Sequence, residues 1–197
     1  MTAALKFLRP GRIGPFTQVK WPEPGVWLDS DGEPELCRSG IHALRPSALP
    51  FWLAEELWHV DLEDVRETGS GLVLARRARL LEPVSAWNDE TAREFAHACL
   101  AALPQDSANE IARQRAADAV KAAHGVTADS SAAAVGYITA KAAEAERPGG
   151  YDEERVRQAS WLQERLGLSG STSSTRRSQG WGRFRLPFRR HRLDGRS

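Results

Sequence analysis

Over residues 5–36 short apolar runs alternate with Pro and Gly punctuation, the pattern of antiparallel strands joined by tight turns. Leu5-Lys6-Phe7-Leu8-Arg9 reads as a first strand, Gln18-Val19-Lys20-Trp21 as a second and Val26-Trp27-Leu28 as a third. Asp31-Gly32 signals a turn before Glu35-Leu36-Cys37. Arg45-Pro46 then opens a short helix, with Leu49, Trp52 and Leu53 at helical spacing and Pro46 suited to its first turn. In Leu57-Trp58-His59-Val60-Asp61-Leu62 the alternation predicts a strand with Leu57 and His59 on one face and Trp58 and Val60 on the other. Leu72-Val73-Leu74 and Ala78-Arg79-Leu80-Leu81 predict a last long strand or a bent pair. Residues 1–87 thus read as one α+β unit of five or six short strands.

At Trp87-Asn88 the period changes from that of strands to that of helices. Asn88 or Asp89 caps a helix whose apolar face is Ala92, Phe95, Ala96, Cys99, Leu100 and Leu103, ended by Pro104. Ser107-Ala108-Asn109-Glu110 is a capping box for a second helix, with Ile111, Ala112, Ala116, Ala119, Val120 and Ala123 as its stripe and Gly125 as its stop. A third helix spans Ser130 to Arg147. A fourth starts near Asp152, carries Val156, Ala159, Leu162 and Leu166, and stops at Gly167-Leu168 in a Schellman pattern. Alanine-rich faces pack closely but bury little area each, so this bundle, residues 88–168, is expected to lean on the strand unit. Trp52 and Trp58 are expected in the core, and Trp21 and Trp27, flanked by Pro and Gly, at the surface.

Charge adds a third region, residues 169–197. The formal net charge of +1 conceals a split: residues 171–197 hold eight Arg against one Asp, which leaves the rest of the chain at −6. The segment follows a Ser/Thr-rich linker and alternates cations with aromatic rings: Arg176, Arg177, Trp181, Arg183, Phe184, Arg185, Phe188, Arg189, Arg190 and Arg192. Its composition is that of a disordered tail. Such a segment suits weak, sequence-independent binding to nucleic acid, rings stacking on bases and guanidiniums on phosphates, or an anionic membrane surface. No secretory signal or membrane-length apolar run is visible, and Cys37 and Cys99 lie far apart, so a cytoplasmic protein with reduced thiols is expected.

Candidate chemistry concentrates at Leu36-Cys37-Arg38-Ser39-Gly40-Ile41-His42. Cys37 and His42 would make an activated nucleophile if they met, with Asp61 orienting the ring; the alternative is a buried strand cysteine and a loop-tying histidine. Cys37, His42 and His59 have tolerable spacing for a metal, but no second pair of ligands accompanies them. Gly40 is expected to hold a conformation closed to other residues, and the His42 ring to tie down its loop. Arg9-Pro10-Gly11-Arg12-Ile13-Gly14-Pro15 offers guanidiniums and backbone amides to an anion, although it matches no Walker or dinucleotide motif. The ligand or partner candidates are therefore Arg9, Arg12, Trp21, Trp27, Cys37, Arg38, Ser39 and His42. No catalytic set, cofactor or metal site is assigned.

Leu36-Cys37-Arg38-Ser39-Gly40-Ile41-His42-Ala43 resembles the Cys-[Lys/Arg]-Ser-Gly-x-His-Ala signature of a family of uncharacterised bacterial and phage proteins, and Trp58-His59-Val60-Asp61-Leu62 is similar to the strand that follows it there. The resemblance covers the first half of the chain and implies kinship, not catalysis. The helical half resembles Ala-rich toxin immunity factors in composition. An interaction or regulatory protein with an unidentified protein partner is the reading these features imply. The alternative is an enzyme resembling ADP-ribosyltransferases, binding NAD through Arg9, Ser39 and Glu56; both tyrosines, Tyr137 and Tyr151, fall in the helical half, outside such a site.

Overall fold

A computed structural model describes residues 2–36, 38–104, 109–121 and 127–168. Cys37, the Ser107 cap, Ala123, Gly125 and the cationic segment with Arg176, Arg177, Trp181, Arg183, Phe184, Arg185, Phe188, Arg189, Arg190 and Arg192 lie outside the described residues. The protein is α+β: strands β1 (Thr2–Leu8), β2 (Leu28–Asp29), β3 (Ile41–Leu44), β4 (Glu56–Glu67) and β5 (Leu72–Pro83) precede helices α1 (Asp89–Ala101), α2 (Glu110–Lys121), α3 (Ala128–Glu146) and α4 (Gly150–Arg165). A 3-10 helix, Pro46–Phe51, follows β3. No helix among the described residues is long and apolar enough to cross a membrane.

All strand pairings are antiparallel, and they close a ring. β1 pairs with β3 and β4, β3 with β5, and β5 back onto β4, while β2 adds to the far end of β5. Alternation along β1 divides its side chains between two cores. Leu5 and Phe7 join the helices, whereas Ala4 and Leu8 line the inside of the ring with Ile41, Ala43, Val60, Leu62, Val73, Ala75, Ala78 and Leu80. Four of those residues are alanine, because a ring of so few strands has little room within it. At Asp64, whose φ is 52°, β4 switches parity, so that both Leu62 and Val65 face inward. β5 switches opposite it, between Ala75 and Ala78. These paired irregularities let two long strands coil enough to close the sheet.

The helices cover the outer face of the ring. Leu5, Phe7, Leu44, Leu57, Leu72 and Leu74 share one buried cluster with Phe95, Cys99, Val135 and Leu162, so the strand and helical halves have a common core. Trp87 joins them: its indole N–H donates to Ala54 O at 2.8 Å and its ring meets Phe7 edge-on at 5.4 Å. Asn88 caps α1, its side chain accepting from Glu90 N and Thr91 N. The Schellman stop of α4 forms as the pattern predicts: Gly167 has φ 68°, and Leu168 N donates to Gln163 O at 2.8 Å.

Several elements differ from expectation. Gln18–Trp21 is not a strand, because Gln18 takes φ 57° and breaks the extended run; one isolated bridge, Ile13 to Lys20, remains. Ile41–Leu44 is a strand, filling the gap between β1 and β5. Two tryptophans exchange roles: Trp21 is 4% exposed within the ring, and Trp52 is 37% exposed beyond the 3-10 helix. Ile111 and Val156, expected on apolar stripes, face solvent.

Candidate functional site

The loop after β1 carries the sequence's best anion-binding pattern, and its groups are engaged within the protein. Gly11 N donates to Glu56 Oε1 at 2.8 Å, and Glu56 Oε2 accepts from Trp58 Nε1 at 3.0 Å. Arg12 pairs with Glu23, and its carbonyl accepts from Trp21 N at 2.8 Å. The carboxylate of Glu56 thus occupies the amide that a phosphate would use. Arg9 is exposed at the edge of this loop.

The turn before β3 holds Arg38, Ser39 and Gly40. Arg38 pairs with Glu35, and Ser39 Oγ donates to Glu33 O. Gly40 has φ 93°, and a Cβ there would lie 3.0 Å from Pro34 Cα, so both backbone conformation and space require glycine. Gly40→Ala is expected to cost about 1–3 kcal/mol, measured by equilibrium chemical denaturation, the range for a non-glycine residue forced into such a conformation. Among the described residues no hydrogen bond reaches the His42 ring, and its backbone carbonyl makes a long-range contact, accepting from Lys6 Nζ at 2.6 Å. Burial, and then the charge of Lys6, hold the His42 imidazole below its usual pKa. Asp61, the acid that would have oriented this ring, accepts Arg79 through Nη2 at 2.9 Å and Nε at 3.2 Å.

Trp27 belongs to a separate surface. Its ring lies under Arg77 and Arg79, with guanidinium carbons 5.0 and 4.6 Å from the centroid, and these arginines reach Asp29, Glu63 and Asp61 across the sheet. Every charge in this ladder meets an opposite one, so its evident role is to clamp β2, β4 and β5. A recess of about 530 Å³ between α1 and α2 is lined by His97, Leu100, Glu110, Arg113 and Gln114. Arg113 there is held by Glu110 and by Pro104 O at 3.0 Å. Cys99, on the opposite face of α1 from exposed His97, is buried, which pushes its thiol up to about 12 and leaves it unreactive at neutral pH.

Two features escaped the sequence reading. Lys6 stands on the inner side of β1 between Ala4 and Leu8, its ammonium 5.8 Å from the Trp21 ring centroid and its strand position opposite Trp58. Burial alone lowers its pKa from 10.5 to about 8. A lysine in the apolar register of a strand was the available signal. The second is an exposed aromatic surface around the 3-10 helix. Phe16, 77% exposed, meets Trp52 edge-on at 5.6 Å, and Phe51 neighbours Tyr151 at 6.5 Å. Residues 16, 51–52 and 151 are far apart in the chain, so no local pattern joins them.

Compared with protein-family models, curated proteins and solved structures, the chain matches none of them.

Proposed function

We propose that this is a non-catalytic binding protein that captures a polyanion, single-stranded nucleic acid being the one its chemistry fits best. The observation that carries the reading is the exposed aromatic surface of Phe16, Trp52 and Phe51 on a body whose charged groups are mostly spent on one another. Bases stack on such rings irrespective of sequence, at about 1–3 kcal/mol per base. The body carries −6 and would repel phosphates by itself; residues 171–197 bring +7, with Trp181, Phe184 and Phe188 interleaved as further stacking groups. Attraction through this segment and stacking on both parts make a complete binding mode. The NAD-transferase alternative draws less support, because Glu56 is held by Gly11 and Trp58 and Ser39 by Glu33.

A labelled single-stranded oligonucleotide titrated at two salt concentrations tests this. If about six phosphates are neutralised, affinity falls by roughly 10²–10³ between about 50 and 200 mM salt. Deleting residues 171–197 is expected to abolish binding and leave the melting temperature of the body unchanged. Binding that survives the deletion would place the site on the body alone, and absence of binding by the full chain at low salt would refute the proposal.

A further inference from the structure

The exposed aromatic surface extends beyond the 3-10 helix. From Phe16 and Trp52 it passes through Phe51 to Tyr151 at the start of α4. Lys141 of α3 lies over the Tyr151 ring, 5.9 Å from its centroid, and exposed Tyr137 stands one helical turn before it. Arg155 sits between the Phe51 and Tyr151 rings, so a guanidinium on a ring is a contact this belt already makes. Two carboxylates border the belt in sequence, Asp152 beside Tyr151 and Glu55 just beyond Trp52. Among the described residues neither forms an ion pair.

We propose that residues 181–192 of the same chain occupy this belt, docking on their own body and yielding the rings to a polyanion. The inference rests on the stacking role proposed above for these rings and adds how access to them is controlled. Complementarity selects the occupant. Trp181-Gly182-Arg183-Phe184-Arg185-Leu186-Pro187-Phe188 alternates rings, which pack edge-on against exposed rings, with guanidiniums, which sit over ring faces and attract Asp152 and Glu55. Residues 171–197 carry +7 against a body of −6, whereas a second copy would bring another acidic body to the belt. The chain is also long enough. Tyr151 lies at one end of α4, whose 16 residues span about 24 Å. The stretch 169–180 leaves from the other end and reaches at most about 40 Å, which suffices to bring Trp181 back to Tyr151.

Tethering makes a weak contact sufficient. A short linker holds its two ends at an effective concentration of about 1 mM, so a contact with a Kd of about 1 mM covers the belt half the time. A contact tenfold tighter leaves it free about a tenth of the time, and the affinity of the body's rings for bases drops by that fraction. Phosphates that engage the arginines compete with this docked state. Their binding draws the segment away and releases the rings of both parts for stacking, so the same arginines close the surface and open it.

The test uses the full chain with the photo-crosslinker p-benzoylphenylalanine in place of Phe184, irradiated in dilute solution at low salt, and maps the products in the monomer band by peptide mass spectrometry. Cross-links are expected to concentrate at residues 16–19, 51–55, 137–141 and 151–155. A saturating single-stranded oligonucleotide should lower their yield at least about threefold. Phe16→Ser, at a position already in solvent, removes one ring contact and should lower the yield about twofold or more, with the melting temperature unchanged. Cross-links that are absent, spread evenly over the body, formed only between two chains, or insensitive to a bound oligonucleotide would overturn the proposal. Oligonucleotide binding is read separately on the same sample. Binding without cross-links at the belt defeats this inference and leaves the polyanion reading standing, whereas cross-links at the belt without binding support the docking and defeat that reading.

Discussion

Replacing Arg155 by alanine is expected to destabilise the protein by about 3–5 kcal/mol, the largest loss from any single side chain considered. Arg155 is a buried cation on α4 that reaches back to the strand half. Its Nη1 donates to Pro50 O at 3.1 Å and to Gln158 Oε1 at 2.9 Å, and its guanidinium lies 5.0 Å from the Phe51 ring and 5.3 Å from that of Tyr151. Alanine leaves two buried acceptors without a donor and a void between two aromatic rings. Gln158 is also tied to Gly136 O, Thr139 and Glu154, so the loss spreads to the contact between α3 and α4. Arg155→Met separates the contributions. It keeps most of the packing and sheds the cost of burying a charge, so it is expected to lose about half as much. For a protein of this size the alanine variant should melt on the order of 10 °C lower in a thermal scan. An alanine variant within about 1 kcal/mol of the wild type would show that α4 does not depend on this anchor.

Lys6→Met is expected to act in the opposite direction and stabilise the protein at neutral pH by about 1–3 kcal/mol. The folded protein holds the Lys6 amine at a pKa of about 8, below its ordinary 10.5, so between these values the unfolded chain binds the proton more readily. Folding stability therefore rises with pH across that window, and the penalty is complete below pH 8. A shift of that size corresponds to roughly 3 kcal/mol, from which the lost hydrogen bond to His42 subtracts about 1. Denaturant unfolding of both proteins at several pH values checks this. The gain should be largest near pH 7 and dwindle toward pH 10.5, and a gain independent of pH would show that packing, not charge burial, is responsible.

The order of elements in the helical half was legible because its signals are local. Asn88 bonds the first-turn amides of α1, and Gly167-Leu168 closes α4, using groups within a few residues of one another. The strand half was legible in type and less so in extent. Ile41–Leu44 sits too close to the Ser-Gly turn to show a run of its own, and it becomes a strand because β1 and β5 pair with it on both edges. Gln18–Trp21 has the alternation of a strand yet folds as a loop, because the buried position of Trp21 inside the ring outweighs strand propensity. For the site, Gly40 was readable from its turn, whereas the use of the Gly11 amide was not: it is claimed by Glu56, forty-five residues on.

The sequence by itself determined the α+β class, the switch of period at Trp87-Asn88, the Asn88 cap of α1, the Gly167-Leu168 stop of α4 and the separation of a −6 body from a +7 terminal segment. These follow from spacing, capping chemistry and charge, which act between near neighbours or sum over composition. Only the tertiary structure decided that the sheet closes, that Lys6 and Trp21 lie inside it, and that Phe16, Phe51 and Trp52 stay outside. Alternation assigns side chains to two faces but does not say which face is enclosed when both are apolar, as in β1, where Leu5 and Phe7 meet the helices and Ala4 and Leu8 meet the ring. That choice is made by pairing between strands dozens of residues apart, and it is what places an amine in an apolar slot and aromatic rings in water.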